Sequence, residues 1–67
     1  MKYITDGKCI VNLDLISDII PWYTEGAWRI EFGKIGLDEP IIFYYNSEAE
    51  RNRAFDKIMF MLNPKIV

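Results

Sequence analysis

PIIFYYNSEAERNRAFDKIMFML, residues 40–62, joins a short apolar run directly to a capped amphipathic helix, and most of the hydrophobic core must form here. Ser47 stands three residues before Glu50, the spacing of a reciprocal capping box, which predicts a helix start near Glu48. Glu48 and Glu50 put negative charge in the first turn, where unpaired amides and the macrodipole favour it. Downstream, Phe55, Ile58, Met59 and Leu62 fall at i, i+3, i+4 and i+7 and form one stripe, flanked by Ala54 and Met61. The helix must end at Asn63-Pro64, because proline disfavours helical geometry in the residue before it and has no amide to donate.

Phe60 breaks this pattern. At about 100° per residue it lies roughly 140° from Phe55, among Arg53, Asp56 and Lys57 on the polar side. Either a neighbouring loop or the tail Lys65-Ile66-Val67 covers it, or it is an anchor for a partner.

The preceding strand, Ile41 to Tyr45, has no polar face. Ile41, Phe43 and Tyr45 point one way and Ile42 and Tyr44 the other, the pattern of a strand buried on both sides or exposing an adhesive one. Upstream, Trp28-Arg29-Ile30-Glu31-Phe32 alternates cleanly, so Trp28, Ile30 and Phe32 are expected to face a core while Arg29 and Glu31 face water. Gly33 to Pro40 reads as a loop whose Ile35 and Leu37 are expected to fold over a core edge.

Nearer the N-terminus, Tyr3-Ile4-Thr5 and Lys8-Cys9-Ile10-Val11 flank Asp6-Gly7, which predicts a hairpin closed by a two-residue type I′ turn. Residues 12–17 read as a brief helical turn capped by Asn12 or Asp14, after which a strand resumes at Asp18 and runs to Tyr23. Pro21 lies within that strand and cannot donate to a ladder, which marks an edge or a bulge. Thr24-Glu25-Gly26-Ala27 is the next reversal. The expected architecture is α+β: residues 1–67 form a single domain, a small antiparallel sheet of four to five strands with one C-terminal amphipathic helix packed on one face.

Composition narrows the function classes. At 67 residues the chain is near the lower limit for a self-supporting core, a handicap that 51% hydrophobic and 15% aromatic residues partly offset and that oligomerisation commonly relieves. A single cysteine excludes an intramolecular disulfide framework, and Cys9, inside a predicted strand, reads as a small buried hydrophobe in a reducing, cytoplasmic setting. Net charge is −2 and the pI about 4.9, with no Lys or Arg between Cys9 and Trp28. Such a surface repels phosphate backbones, so nucleic acid is not the expected partner and a basic protein surface suits it better. Charge arrives at Lys2 and Asp6 before any apolar signal region forms, and no run approaches transmembrane length, so no membrane association is expected.

Catalytic chemistry finds little support. Without histidine there is neither a Ser-His nor a Cys-His pair, and one cysteine without histidine cannot make a typical zinc site. Asp14 and Asp18, four apart, would share a face if their segment were helical, as an acid–base pair or cation site requires, although such pairs are usually plain solvated surface. Gly33-Lys34-Ile35-Gly36 lacks phosphate-loop spacing. Arg51, Arg53 and Lys57 alternate with acids as on an ordinary exposed helix. No cofactor is expected, and the protein is read as a non-enzyme.

One helix cannot cover both faces of a sheet, so Trp22, Tyr23, Tyr44 and Phe60, with Asp14 and Asp18, are the candidates for a second buried surface supplied by another chain. Three binding roles follow. The chain could be an adaptor or inhibitor docking aromatics and carboxylates on a basic surface, or a homo-oligomer holding a small ligand such as a signalling nucleotide. It could also be an assembly accessory pairing through the Pro21 edge.

The order Ile10-Val11-Asn12-Leu13-Asp14-Leu15-Ile16, then Trp28 to Phe32, then Asn46-Ser47-Glu48 opening a helix through Ile58, resembles small bacterial and prophage β-meander-plus-helix proteins, a flagellar-operon family among them. The likeness spans residues 8–62 and rests on turn and capping signals, so it implies a fold and carries over no functional residue. The loop from Gly33 to Pro40 and the aromatic richness depart from that family's plainer pattern. In size and charge the chain is also similar to phage accessory proteins that block host defences. The resulting expectation is a self-associating, non-enzymatic cytoplasmic binding protein of phage or mobile-element type that inhibits or sequesters a host protein or a small signalling nucleotide. The alternative is a structural accessory with no inhibitory role.

Overall fold

The computed structural model describes residues 2–36 and 39–67. In chain order the elements are β1 (Tyr3–Thr5), β2 (Ile10–Asn12), a 3₁₀ turn (Leu13–Leu15), β3 (Ile16–Thr24), β4 (Ala27–Lys34), β5 (Ile41–Tyr45) and α1 (Glu48–Leu62). This is the expected α+β arrangement. The five strands among the described residues divide into a β1–β2 hairpin and an antiparallel meander in the order β3-β4-β5, and α1 packs against all three meander strands.

Alternation along β4 sets the core. Ile30 and Phe32 are fully buried, Phe43 of β5 meets Phe32 edge-on with ring centroids 4.8 Å apart, and Ile58 of α1 closes over them. Val11 and Leu13 enter the same cluster from the N-terminal segment. Of the predicted helical stripe, Ile58 alone is fully buried; Ala54, Phe55 and Met59 are half-buried, while Met61 and Leu62 reach solvent.

The helix begins and ends as its sequence dictates. The Glu50 amide donates to the Ser47 hydroxyl at 3.2 Å, while the Glu50 carboxylate accepts from the Asn46 amide rather than from that of Ser47. At the other end Asn63 takes a left-handed conformation (φ 49°) and its amide reaches the Met59 carbonyl. The Lys2 ammonium donates to the Met61 carbonyl at 2.6 Å, tying the first strand to this last turn.

Several expectations are corrected. The two-residue turn is not at Asp6-Gly7: Thr5 pairs with Ile10, so residues 6–9 all belong to the loop. There the Asp6 carboxylate accepts from the amides of Lys8 (2.8 Å) and Cys9 (3.1 Å), and the Thr5 hydroxyl donates to the Cys9 carbonyl. Local side-chain bonding of this kind competes with ladder formation, and it leaves Cys9 exposed in the loop rather than buried in a strand. The tight turn is Glu25-Gly26, where both residues have positive φ (52° and 77°) between the Thr24–Ala27 pair. That is the backbone of a type I′ hairpin, whose twist matches the flanking strands.

β3 starts at Ile16 rather than Asp18, and β4 runs on through Gly33 and Lys34 before the loop. A register shift between Ile16 and Asp18 marks a β-bulge at Ser17. The bulge lets both Ile16 and Ile19 pack on the core, although an odd separation would send them to opposite faces of a regular strand. The Ser17 hydroxyl bonds the Asp18 carboxylate at 2.7 Å and lies 3.1 Å from the Gly33 carbonyl. A Cβ at Gly33 would run into the Asp18 carboxylate, so glycine fits this crossing. Ile35 is 62% exposed and does not fold over the core edge; Leu37 lies outside the described residues. No helix among the described residues is long and apolar enough to cross a membrane.

Candidate functional site

The face of the meander opposite α1 is built by the other half of each strand's alternation. Register aligns it into cross-strand rows: Trp22 pairs with Arg29, which pairs with Tyr44, and next to them Ile20 pairs with Glu31, which pairs with Ile42. At one end Asp18 pairs with Gly33. Core and helix occupy the other side, leaving Ile20, Trp22 and Tyr44 exposed at 46%, 42% and 61%.

Arg29 is the centre of this face. Its guanidinium carbon lies 5.6 Å from the Trp22 ring and 5.5 Å from the Tyr44 ring, a cation between two aromatic neighbours. They screen it well: the Arg29 side chain is 13% accessible and that of Glu31 22%, so neither simply faces water as their alternation predicted. The bond between them is weak, with Nη1 and Oε1 4.0 Å apart. Arg29 Nε is buried without a hydrogen-bond partner among the described residues. Guanidinium donors are normally satisfied when covered, so Nε is an unmet donor beneath the aromatic pair, while the 4.0 Å contact to Glu31 leaves the Nη end only loosely paired.

The sequence candidates separate. Trp22 and Tyr44 flank Arg29 in one row and Asp18 sits on the same face, whereas Tyr23 points to the helix side. There its ring meets Trp28 at 4.3 Å, and Arg51 lies 5.0 Å above the Trp28 ring. Phe60 is on the outer surface of α1, 89% exposed, and the tail does not cover it, since Ile66 and Val67 are exposed themselves. Asp14 lies in the 3₁₀ turn, where the Asn12 side chain caps its amide at 3.0 Å, and Asp18 is in β3. The two carboxylates therefore do not share a helical face. Arg29, Glu31, Ile20 and Ile42 were missed as site residues. Alternation excludes Arg29 and Glu31 from the core, but only pairing register shows which aromatics stand beside them.

A concavity of about 860 Å³ lies between the β1–β2 loop, β5 and α1, lined by Ile4, Phe43, Ala54 and Ile58 together with Asp6, Lys8, Arg53 and Lys57. The amides of Lys8 and Cys9 hold the Asp6 carboxyl below its usual range. Burial, then the nearby Asp6 charge, pushes the Tyr45 phenol up, so it stays neutral at physiological pH. Among the described residues no group of three or more Cys, Asp or Glu converges as a metal site. The Ser17–Asp18 contact fastens the bulge. Chemically the open face can stack, hydrogen-bond an acceptor and bury apolar surface.

The chain matches no family model, and neither a curated sequence nor a solved structure is similar to it.

Proposed function

We propose that this chain is a non-enzymatic cytoplasmic binding protein that works by occupying a partner with the open face of its meander. The observation that carries this reading is the row Trp22–Arg29–Tyr44, an aromatic-flanked and loosely paired cation on the face away from α1. Trp, Tyr and Arg are the residue types that dominate binding energy at interfaces. Pairing through the free edge of β3 is less favoured than binding through the face, because Pro21 lacks a donor and the bulge at Ser17 interrupts the ladder. A phage or mobile-element accessory that inhibits or sequesters a host component fits the chain's size, acidity and lack of histidine.

Native mass spectrometry of the protein purified from its host, before and after denaturation, tests the reading. A second copy, a protein or a small molecule should accompany the chain, and Trp22→Ser with Tyr44→Ser should lose it while circular dichroism stays unchanged. A bound species that the double variant retains, or none at all, would overturn the proposal.

A further inference from the structure

Among the possible occupants of the open face, the geometry points to a second copy of the chain, and this inference rests on the face-binding reading above. The two central rows are complementary to each other: Trp22–Arg29–Tyr44 reads apolar, cationic, apolar, and Ile20–Glu31–Ile42 reads apolar, anionic, apolar. Consider a two-fold axis lying in the interface, perpendicular to the strands and midway between the rows. It keeps each strand over its own counterpart and exchanges the rows. Trp22 then faces Ile20 of the second copy, Tyr44 faces its Ile42, and Arg29 faces its Glu31. Every contact occurs twice, as an isologous interface requires.

Around that axis the four charges alternate in sign, each arginine lying between the glutamate of its own chain and that of the other. The 4.0 Å separation of Arg29 and Glu31 within one chain leaves both groups able to bond across the interface. Desolvation, the usual cost of such a pair, is largely incurred already because both side chains are screened in the single chain. The Nη end of Arg29, only loosely paired within its own chain, gains a second carboxylate, and guanidinium–carboxylate pairing is the strong, directional kind. Face-to-face sheets with nearly aligned strands are a standard packing.

Size sets how firm the pairing is. Strands about 4.8 Å apart, rising about 3.4 Å per residue, give this face a projected area of roughly 400 Å². That is at the small end for protein interfaces, so the dimer should dissociate on dilution.

Charge exchange tests it. Sedimentation velocity over a concentration series should show wild-type chain passing from monomer to dimer. Arg29→Glu and Glu31→Arg should each weaken self-association about tenfold or more, since each sets like charges against each other. Mixed one to one, the two variants should form a heterodimer, visible by mass, because the acidic face of one meets the basic face of the other. Should Arg29→Glu unfold the chain, Tyr44→Lys at the exposed end of the row serves for the loss of self-association. Wild type that stays monomeric at every concentration overturns the second copy as occupant and leaves the face open to a foreign partner. A dimer indifferent to all these changes removes the face from the assembly, and a bound species equally indifferent to Trp22→Ser and Tyr44→Ser overturns the broader reading.

Discussion

β4 contributes to two faces of one sheet, and the two have opposite characters. Toward α1 it presents Ile30 and Phe32, fully buried. Away from α1 it presents Arg29 and Glu31, screened by neighbours but making only a loose ion pair. One face is saturated by packing within the chain; the other has apolar area and hydrogen-bonding capacity left over. On the proposed reading stability resides on the first face and recognition on the second, and substitutions should separate the two.

The largest effect is expected from Phe32→Ala, which opens a cavity against Phe43 and should cost about 3–5 kcal/mol. In a domain this small, chemical denaturation should find little folded protein left, and a mild effect would break the contrast between the faces. Ile58→Ala tests the helix as cover for the saturated face, with an expected loss of about 2–4 kcal/mol by the same measurement. Ser47→Ala removes the cap of that helix and should cost about 1 kcal/mol, read from the thermal midpoint.

On the open face Tyr44→Ser should change monomer stability by no more than about 0.5–1 kcal/mol, the worth of its contact with Arg29. Its effect on binding should be much larger than its effect on melting. The smallest effect concerns Asp6, which belongs to neither face. Its carboxyl is held below the ordinary value of 3.8, so its contribution is present above that pH and is lost as pH falls through the lowered value. Asp6→Asn retains an acceptor without the charge, and its melting curve should converge on that of wild type in acid.

Much of the fold was legible because the decisive signals are local. The Ser47 cap, the inward stripe of Phe55, Ile58 and Met59, though not its last member Leu62, and the strand from Ile41 to Tyr45 appear where their spacing put them. The hairpin turns were harder to place. Asp-Gly is a stronger type I′ signal than Glu-Gly, yet the Asp6 carboxylate bonded two amides beyond it and widened its loop, while Glu25 accepted a positive φ. The bulge at Ser17 was hidden because it appears only in pairing with Gly33 and Lys34. For the candidate site, aromatic excess was enough to select Trp22 and Tyr44. Arg29 between them required the alignment of β3, β4 and β5, which is long-range information.

The chain's two tryptophans lie on opposite sides of the meander. Trp22 borders Arg29 on the open face, while Trp28 lies on the helix side against Tyr23 and beneath Arg51. The molecule thus carries one tryptophan fluorophore for each side, selectable over its tyrosines by excitation at the red edge of the indole band. With Trp28→Phe the remaining emission reports contact on the open face; with Trp22→Phe it reports the seating of the helix. Dilution and denaturation, followed in these two backgrounds, become optically separable events in a protein without an added dye.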